Sequence, residues 1–421
     1  MHVQRRPDPM RLYVLWHPDC ASGADFAREI YLWFRGDPGD ITQSGYGIPV
    51  LYRSKPFQAD AETPRAIDLS AARLNIIVPL VDQHMVVSTA WRRYLRSLAD
   101  SETSRDTACL MCPVALDPAA YHLPENVSRL NFLRVDRVTD PDIWDSAKRL
   151  HVRRQRLLSL LTQVCCRLLW GSHGGAGPLA LDMPSLPLHV FISHAKADGT
   201  DIAEAIRDQI YHQGQLQAFF DESDLAIGYA FEQALNKSAQ HETAAMMAVF
   251  TDAYASRPWC RRELRLAREP VIVVPTLPEP SAAAPMSYGR VKPLMIVDAL
   301  RNGYTHFLPE FGYAPVVRWH PERVTLLIDR LLREVLLYGY HEERAKALPG
   351  KPGRYGLNCI PDLQMILQLW HNTHRGLQEV IIPPPGLPLS EQAELKKFFV
   401  DLEIKIFDDI AGEQYGCIST R

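Results

Sequence analysis

Short apolar runs that end in polar residues, alternating with stretches of helical periodicity, recur throughout this chain. From Arg11 the apolar runs are LYVLW, GYGIPVLYRS, LNIIVPLVD, CLMCPVAL and NFLRV. Between them lie ADFAREIYLWF, where Phe26, Ile30 and Phe34 keep helical spacing, and STAWRRYLRSL. A long helical stretch from Trp144 to Trp170 follows. Strands alternating with helices predict a parallel sheet with helices on both faces, so the fold class is α/β.

The pattern then starts again. GSHGGAGPLALDMPSLP is rich in glycine and proline, lacks periodicity and reads as a linker. Beyond it, VFISHAKAD stands where VLWHPDCAS stood, AEAIRDQIYHQ matches FAREIYLWF, and QAFFDESD matches IPVLYRS. MMAVFTDAYAS matches IIVPLVDQHMVVS, and WCRREL matches WRRYLR. VIVVPTL is expected to repeat CLMCPVAL as a strand of the same sheet, and VTLLIDRLLREVLLYGYH to repeat the long closing helix. An offset of roughly 170 residues is too long for a solenoid period and indicates a tandem duplication. The expected organisation is one unit at 1–170, a linker at 171–186, a second unit at 187–342 and a small α/β extension at 343–421. The extension shows a helix pattern (Leu363, Ile366, Leu367, Trp370), a strand (LQEVIIPPP), another helix and a final strand (EIKIFDD).

Composition narrows the function classes. With 421 residues, 47% apolar and 23% charged, the chain is globular material of several domains. Its net charge of −3 offers no electrostatic footprint for nucleic acid. The pairs Arg92-Arg93, Arg153-Arg154 and Arg261-Arg262 lie in helical patterns and read as solvated faces. No apolar run reaches the about 18–20 residues that span a bilayer, and the start does not read as a signal peptide, so a cytoplasmic protein without a membrane partner is expected. Eight cysteines in this length make no disulfide framework. Cys109 and Cys112 form a single CxxC inside an apolar run, with no second ligand pair for zinc, and read as buried strand residues, as Cys165-Cys166 read as helix core. No metal site is expected.

At FISHAKAD, FFDESDLAIGYAF and SRPWCRREL the chain resembles the Toll/interleukin-1 receptor (TIR) domain family, across roughly Leu186 to His341. The resemblance implies two tandem flavodoxin-like parallel-sheet units, the N-terminal one a degenerate copy. Ligands of such sheets sit at the carboxyl ends of strands near the switch in strand order, where Ser193, His194, Ala195 and Lys196 leave one strand and Asp221 another. One branch of the family signals by assembly. The other, the NAD-cleaving prokaryotic type, splits the nicotinamide–ribose bond with a glutamate in a WxxxE arrangement, here Trp259 and Glu263. Their spacing of four places both on one helix face.

By that resemblance Glu263 is the catalytic carboxylate and Trp259 a stacking wall. Ser193, His194, Ala195, Lys196, Asp221 and Phe231 are expected around NAD as substrate, with no separate cofactor. Asp224, Leu225, Gly228 and Phe231 match the family's mobile loop pattern D-[IL]-x-x-G-x-x-F, with Ile227 where proline is common. A homo-oligomer through this domain, an activating partner or ligand, and a role in prokaryotic defence are further implications. Plainer readings stand beside these. Glu263 also fits an ordinary helix glutamate beside Arg261 and Arg262, Trp259 a core residue, Lys196 a solvated loop lysine, and Asp221 a cap. In the N-terminal unit Leu95 falls at the glutamate position when Trp91 is aligned with Trp259, which indicates a regulatory or scaffolding copy without the carboxylate.

Overall fold

The computed structural model describes residues 7–36, 45–56, 62–100, 108–123, 125–136, 145–171, 188–213, 216–220, 243–274, 286–301, 308–374 and 376–414. The chain divides into two compact units, Gln4–Ser185 and Leu186–Arg421.

In the first unit the strands are β1 (Asp8–Trp16), β2 (Val50–Arg53), β3 (Ala72–Val81), β4 (Ala108–Met111) and β5 (Val114–Ala115). Their order is β2-β1-β3-β4 with β5 also on β3, and every pairing is parallel. β3 is buried along its length except at Arg73, as expected of a strand covered on both faces. Tyr13 and Leu15 of β1 share one face and pack with Ile77, Val81 and the helix Thr89–Ala99 through Trp91, Leu95 and Leu98. The helices Ala21–Phe34 and Ser146–Gly171 are tied by Trp33 Nε1 donating to Thr162 Oγ1 at 3.0 Å. Trp144, read as the start of that long helix, lies outside the described residues. Cys112, Cys165 and Cys166 are buried and Cys109 is half-buried. Burial pushes the Cys109 thiol up to about 11, and burial with Cys109 beside it pushes the Cys112 thiol up to about 12. These are inert core thiols, as the apolar context of the CxxC indicates.

The second unit holds two sheets. One consists of β6 (Leu188–His194), β7 (Leu216–Phe220), β8 (Ala245–Phe250), β11 (Leu294–Asp298) and β12 (Val316–Arg318), all parallel in the order β12-β11-β8-β6-β7. Taken along the chain this is the 2-1-3-4-5 order of flavodoxin-like sheets. The other sheet runs β15-β14-β13-β10-β9, from β9 (Val271–Val273), β10 (Ser287–Arg290), β13 (Arg354–Leu357), β14 (Glu379–Ile382) and β15 (Glu403–Ile406). Only the β9–β10 pair is antiparallel.

This corrects the expected place of VIVVPTL. Its first residues form β9, the outer strand of the C-terminal sheet, and β11 takes the position beside β8. β11 is buried through its first four residues, whereas β9 is half-buried throughout. A strand of three residues cannot specify which sheet it joins. The tail is therefore no free-standing extension: the segment between the helix Pro258–Arg268 and β11 supplies two of its strands. The helix Val324–Lys346 runs through the expected boundary at 342 and serves both sheets. Its start packs beneath β8 and β11, and its end joins Met286, Tyr288, Ile381 and Phe407 in a second cluster. Buried polar contacts reinforce the seam. Glu342 accepts from Tyr288 Oη at 2.9 Å and Arg290 Nη2 at 2.7 Å. Arg268 donates to Asp362 at 2.5 Å and to the Phe311 carbonyl at 2.8 Å. Asn358 exchanges two 2.9 Å bonds with the Val291 backbone.

The arginine pairs are not merely solvated. Arg92 caps the carbonyls of Val86 and Val87, Arg153 donates to the Leu116 carbonyl, and Arg154 meets Asp25 and Glu29. Each satisfies a neighbouring backbone or carboxylate group. Among the described residues no helix is long and apolar enough to cross a membrane.

Candidate active site

In a parallel sheet all strands end on the same side, and the crevice opens where the chain reverses its direction of travel across the sheet, here between β6 and β8. Three segments meet at that edge: the end of β6, the turn after β8, and the helix Pro258–Arg268.

Pro258 occupies the first turn of that helix, where its missing N–H costs nothing. Cys260, Glu263, Leu264 and Ala267 are buried at i, i+3, i+4 and i+7. Leu264 and Ala267 pack on Met246, Ala248 and Phe250 of β8. Glu263 is thus carried inward by the same stripe that docks the helix, and it is only 3% exposed. Its Oε2 accepts a short hydrogen bond from Ser193 Oγ at the end of β6. Ser193 Oγ also lies 2.7 Å from Tyr254 Oη. A serine has one proton, and a carboxylate only accepts, so Ser193 donates to Glu263 and Tyr254 donates to Ser193. Burial first, and then the charge of Glu263, push the Tyr254 phenol well above its ordinary value, which keeps it a donor. The relay Tyr254–Ser193–Glu263 ends on the carboxylate at the crevice.

The surrounding turns are held by side chains of their own. Asp198 accepts from Thr251 Oγ1 at 2.6 Å and from the Ala253 N–H at 2.9 Å, joining the loop after β6 to the turn after β8. Cys260 Sγ approaches the His194 carbonyl at 3.5 Å. Arg261 directs Nη2 at 2.7 Å and Nε at 3.1 Å to one oxygen of buried Glu310, fixing the outer side of the helix to the turn Pro309–Phe311. Beneath lie Phe250, Tyr254 and Phe311, with Phe250 and Phe311 edge-to-face at 4.9 Å.

Of the residues picked from sequence, Ser193 and Glu263 are brought into direct contact. His194 and Ala195 are buried beside them at the β6 exit, and Lys196 is exposed on the turn. Trp259 does not share the buried stripe with Glu263. It is 47% exposed, with the Arg262 guanidinium 5.5 Å above its ring. The reading of Trp259 as core therefore fails, while an accessible aromatic surface one turn from Glu263 is present. Asp221 and Phe231, with the loop pattern from Asp224 to Gly228, lie outside the described residues. Tyr254 and Asp198 went unmarked in the sequence. Tyr254 is 61 residues from Ser193, and no local spacing links them. The apolar-to-polar switch in AVFTDAYAS is the signal that could have drawn attention to the turn.

A family model described as a TIR domain matches residues 190–307, which contain all eight of the residues picked from sequence. No curated protein matches the chain.

Proposed function

We propose, from the premise that this chain carries a TIR domain at residues 190–307, that the domain cleaves the nicotinamide–ribose bond of NAD with Glu263 as the catalytic carboxylate. TIR domains serve generally as NAD-cleaving enzymes or as signalling modules that self-associate. The observation that carries the enzymatic reading is the Glu263 carboxylate itself, held by Ser193, which Tyr254 holds in turn, at the switch point of a parallel sheet.

The chemistry needs little more from the protein. Most glycosidases use two carboxylates, because the leaving oxygen must be protonated. Nicotinamide in NAD is cationic and departs as a neutral base, so no general acid is required. As the bond breaks, positive charge develops on the ribose, and a fixed carboxylate in a desolvated crevice stabilises it. Glu263 fills that role and can also accept from the ribose hydroxyls. The Ser193 bond holds the carboxylate in orientation, and Trp259 offers an aromatic plane for a base. Lys196, His194 and Ala195 at the β6 exit, with Asp221 and Phe231, complete the proposed contacts to the dinucleotide.

At 3% exposure Glu263 is shielded in this state, so substrate access requires the crevice to open. Assembly of several copies through the TIR domain is the proposed trigger, with a defence role against phage as the setting. Mass spectrometry of NAD products across protein concentration, for wild type and Glu263→Ala, tests this. Concentration-dependent release of nicotinamide that disappears in the variant supports the assignment, and release unaffected by the change sinks it.

The same shielding favours a second reading, in which the Tyr254–Ser193–Glu263 relay is structural and the domain only assembles. Oligomers that form equally in Glu263→Ala, with no NAD turnover at any concentration, would support that reading.

A further inference from the structure

We propose that His17, Asp19 and His84 in the first unit bind a divalent transition-metal ion of the zinc class. His17 directly follows β1, Asp19 lies two residues on, and His84 belongs to the helix Gln83–Val87 that follows β3. β1 and β3 are neighbours at the switch point of the β2-β1-β3-β4 order, so their exits face the same crevice. One ligand atom from each residue lies within 4.8 Å of the others. His17 Nδ1 is 3.6 Å from Asp19 Oδ2, and the His17 and His84 rings stack at 5.7 Å with 21° between planes.

These distances suit metal. Zinc bonds nitrogen and oxygen at about 2.0–2.2 Å, which sets tetrahedral ligands about 3.4 Å apart. The His17–Asp19 pair is already close to that spacing, and rotation of side chains closes the rest. Before metal enters, His17 Nδ1 accepts from the Asp19 N–H at 3.2 Å, a long bond that coordination replaces.

The backbone on both arms is fixed. The Cys20 N–H returns to the His17 carbonyl at 2.9 Å, and Trp91 packs 5.7 Å from the His17 ring. On the other arm Asp82 Oδ1 accepts from the Met85 N–H at 3.1 Å and Asp117 Oδ2 from the Gln83 N–H at 2.8 Å, which hold the turn presenting His84. Such support around ligands sustains affinity.

The donor set names the ion class. Two imidazoles and one carboxylate suit zinc and its transition-metal neighbours, whereas calcium and magnesium take oxygen ligands almost alone. Three protein ligands leave a position for water or a ligand. No local spacing marks this site, because His84 comes from a different strand exit than the H-x-D pair. The site uses no residue of the TIR domain, so it gives the first unit a chemistry independent of Glu263.

The full chain, stripped with chelator, is titrated with zinc and with cobalt(II), following stoichiometry by native mass spectrometry and coordination by visible absorption. The expected result is one ion per chain, weakened at least about tenfold by Asp19→Asn and by His84→Gln, and unchanged by His122→Gln. Circular dichroism of each variant checks that the fold persists. No stoichiometric uptake by the wild type, or uptake unaltered in folded Asp19→Asn and His84→Gln, overturns the proposal.

Discussion

Replacing Tyr254 by phenylalanine separates the parts of the buried relay. The ring stays against Phe250, and only the hydroxyl that donates to Ser193 is lost. Ser193 keeps its bond to Glu263, so no buried proton donor is orphaned, and the cost is that of one neutral buried hydrogen bond, about 1 kcal/mol. Ser193→Ala is more damaging. It strips Glu263 of the Ser193 hydroxyl and leaves Tyr254 Oη without its 2.7 Å acceptor, with an expected cost of about 2–4 kcal/mol. In the double variant the tyrosine penalty vanishes, so the two costs do not add, and a coupling of about 1 kcal/mol or more is expected. Urea unfolding of the full chain, followed by a label in the second unit against a probe in the first, measures all three variants. Equal single costs that add within about 0.5 kcal/mol would show that Tyr254, Ser193 and Glu263 do not act as a chain.

Other expectations concern the seam and the response to acid. Truncation after residue 342 should fail to give a folded 187–342 unit, because Met286 and Tyr288 pack on Leu348, Ile381 and Phe407, and Val291 packs with Leu357 and Val380; a monomeric, cooperatively folding product on gel filtration would refute the shared core. Asp362→Ala leaves the buried Arg268 guanidinium, among the described residues, with only the Phe311 carbonyl to accept from it and should cost about 3–5 kcal/mol in the same unfolding assay. Burial, helped by Arg344, holds the His341 imidazole down at about 3, so below pH 6.5 the unfolded chain takes up a proton that the folded one refuses. Stability should therefore fall as pH drops from 6.5 towards 3, by about 2 kcal/mol between pH 7 and pH 5, and His341→Gln should flatten that slope. Burial alone would raise the Glu379 carboxyl, but hydrogen bonds from Lys351 and Arg354 hold it at about 2; its contribution is present above pH 4.5 and lost towards pH 2, later than that of His341.

The alternation of strands and helices was legible because β8 is apolar throughout and β3 and β6 carry continuous apolar stretches (Ile76–Val81, Val190–Ile192), and tertiary context did not override them. Sheet membership was not legible. LMIV at β11 and VIV at β9 look alike in composition, and only the pairing with β8 or β10 distinguishes them. Glu263 could be read from its spacing to Trp259, yet the same period, followed through Cys260, Leu264 and Ala267, turns Glu263 inward and Trp259 outward. Partners far apart in the chain, Ser193 with Tyr254 and Glu263, His17 with His84, and Arg268 with Asp362, come together only through strand order, which no local pattern encodes.

The most direct measurement is the rate of nicotinamide release from NAD at high protein concentration, for wild type and Glu263→Gln. The amide keeps the size of Glu263 and can still accept from Ser193, so fold and assembly should persist while the charge is gone. A fall of about a hundredfold to a thousandfold, with unfolding and oligomer size unchanged, is the expected result. Release by Glu263→Gln at the wild-type rate would contradict the assignment of the chemistry to this carboxylate.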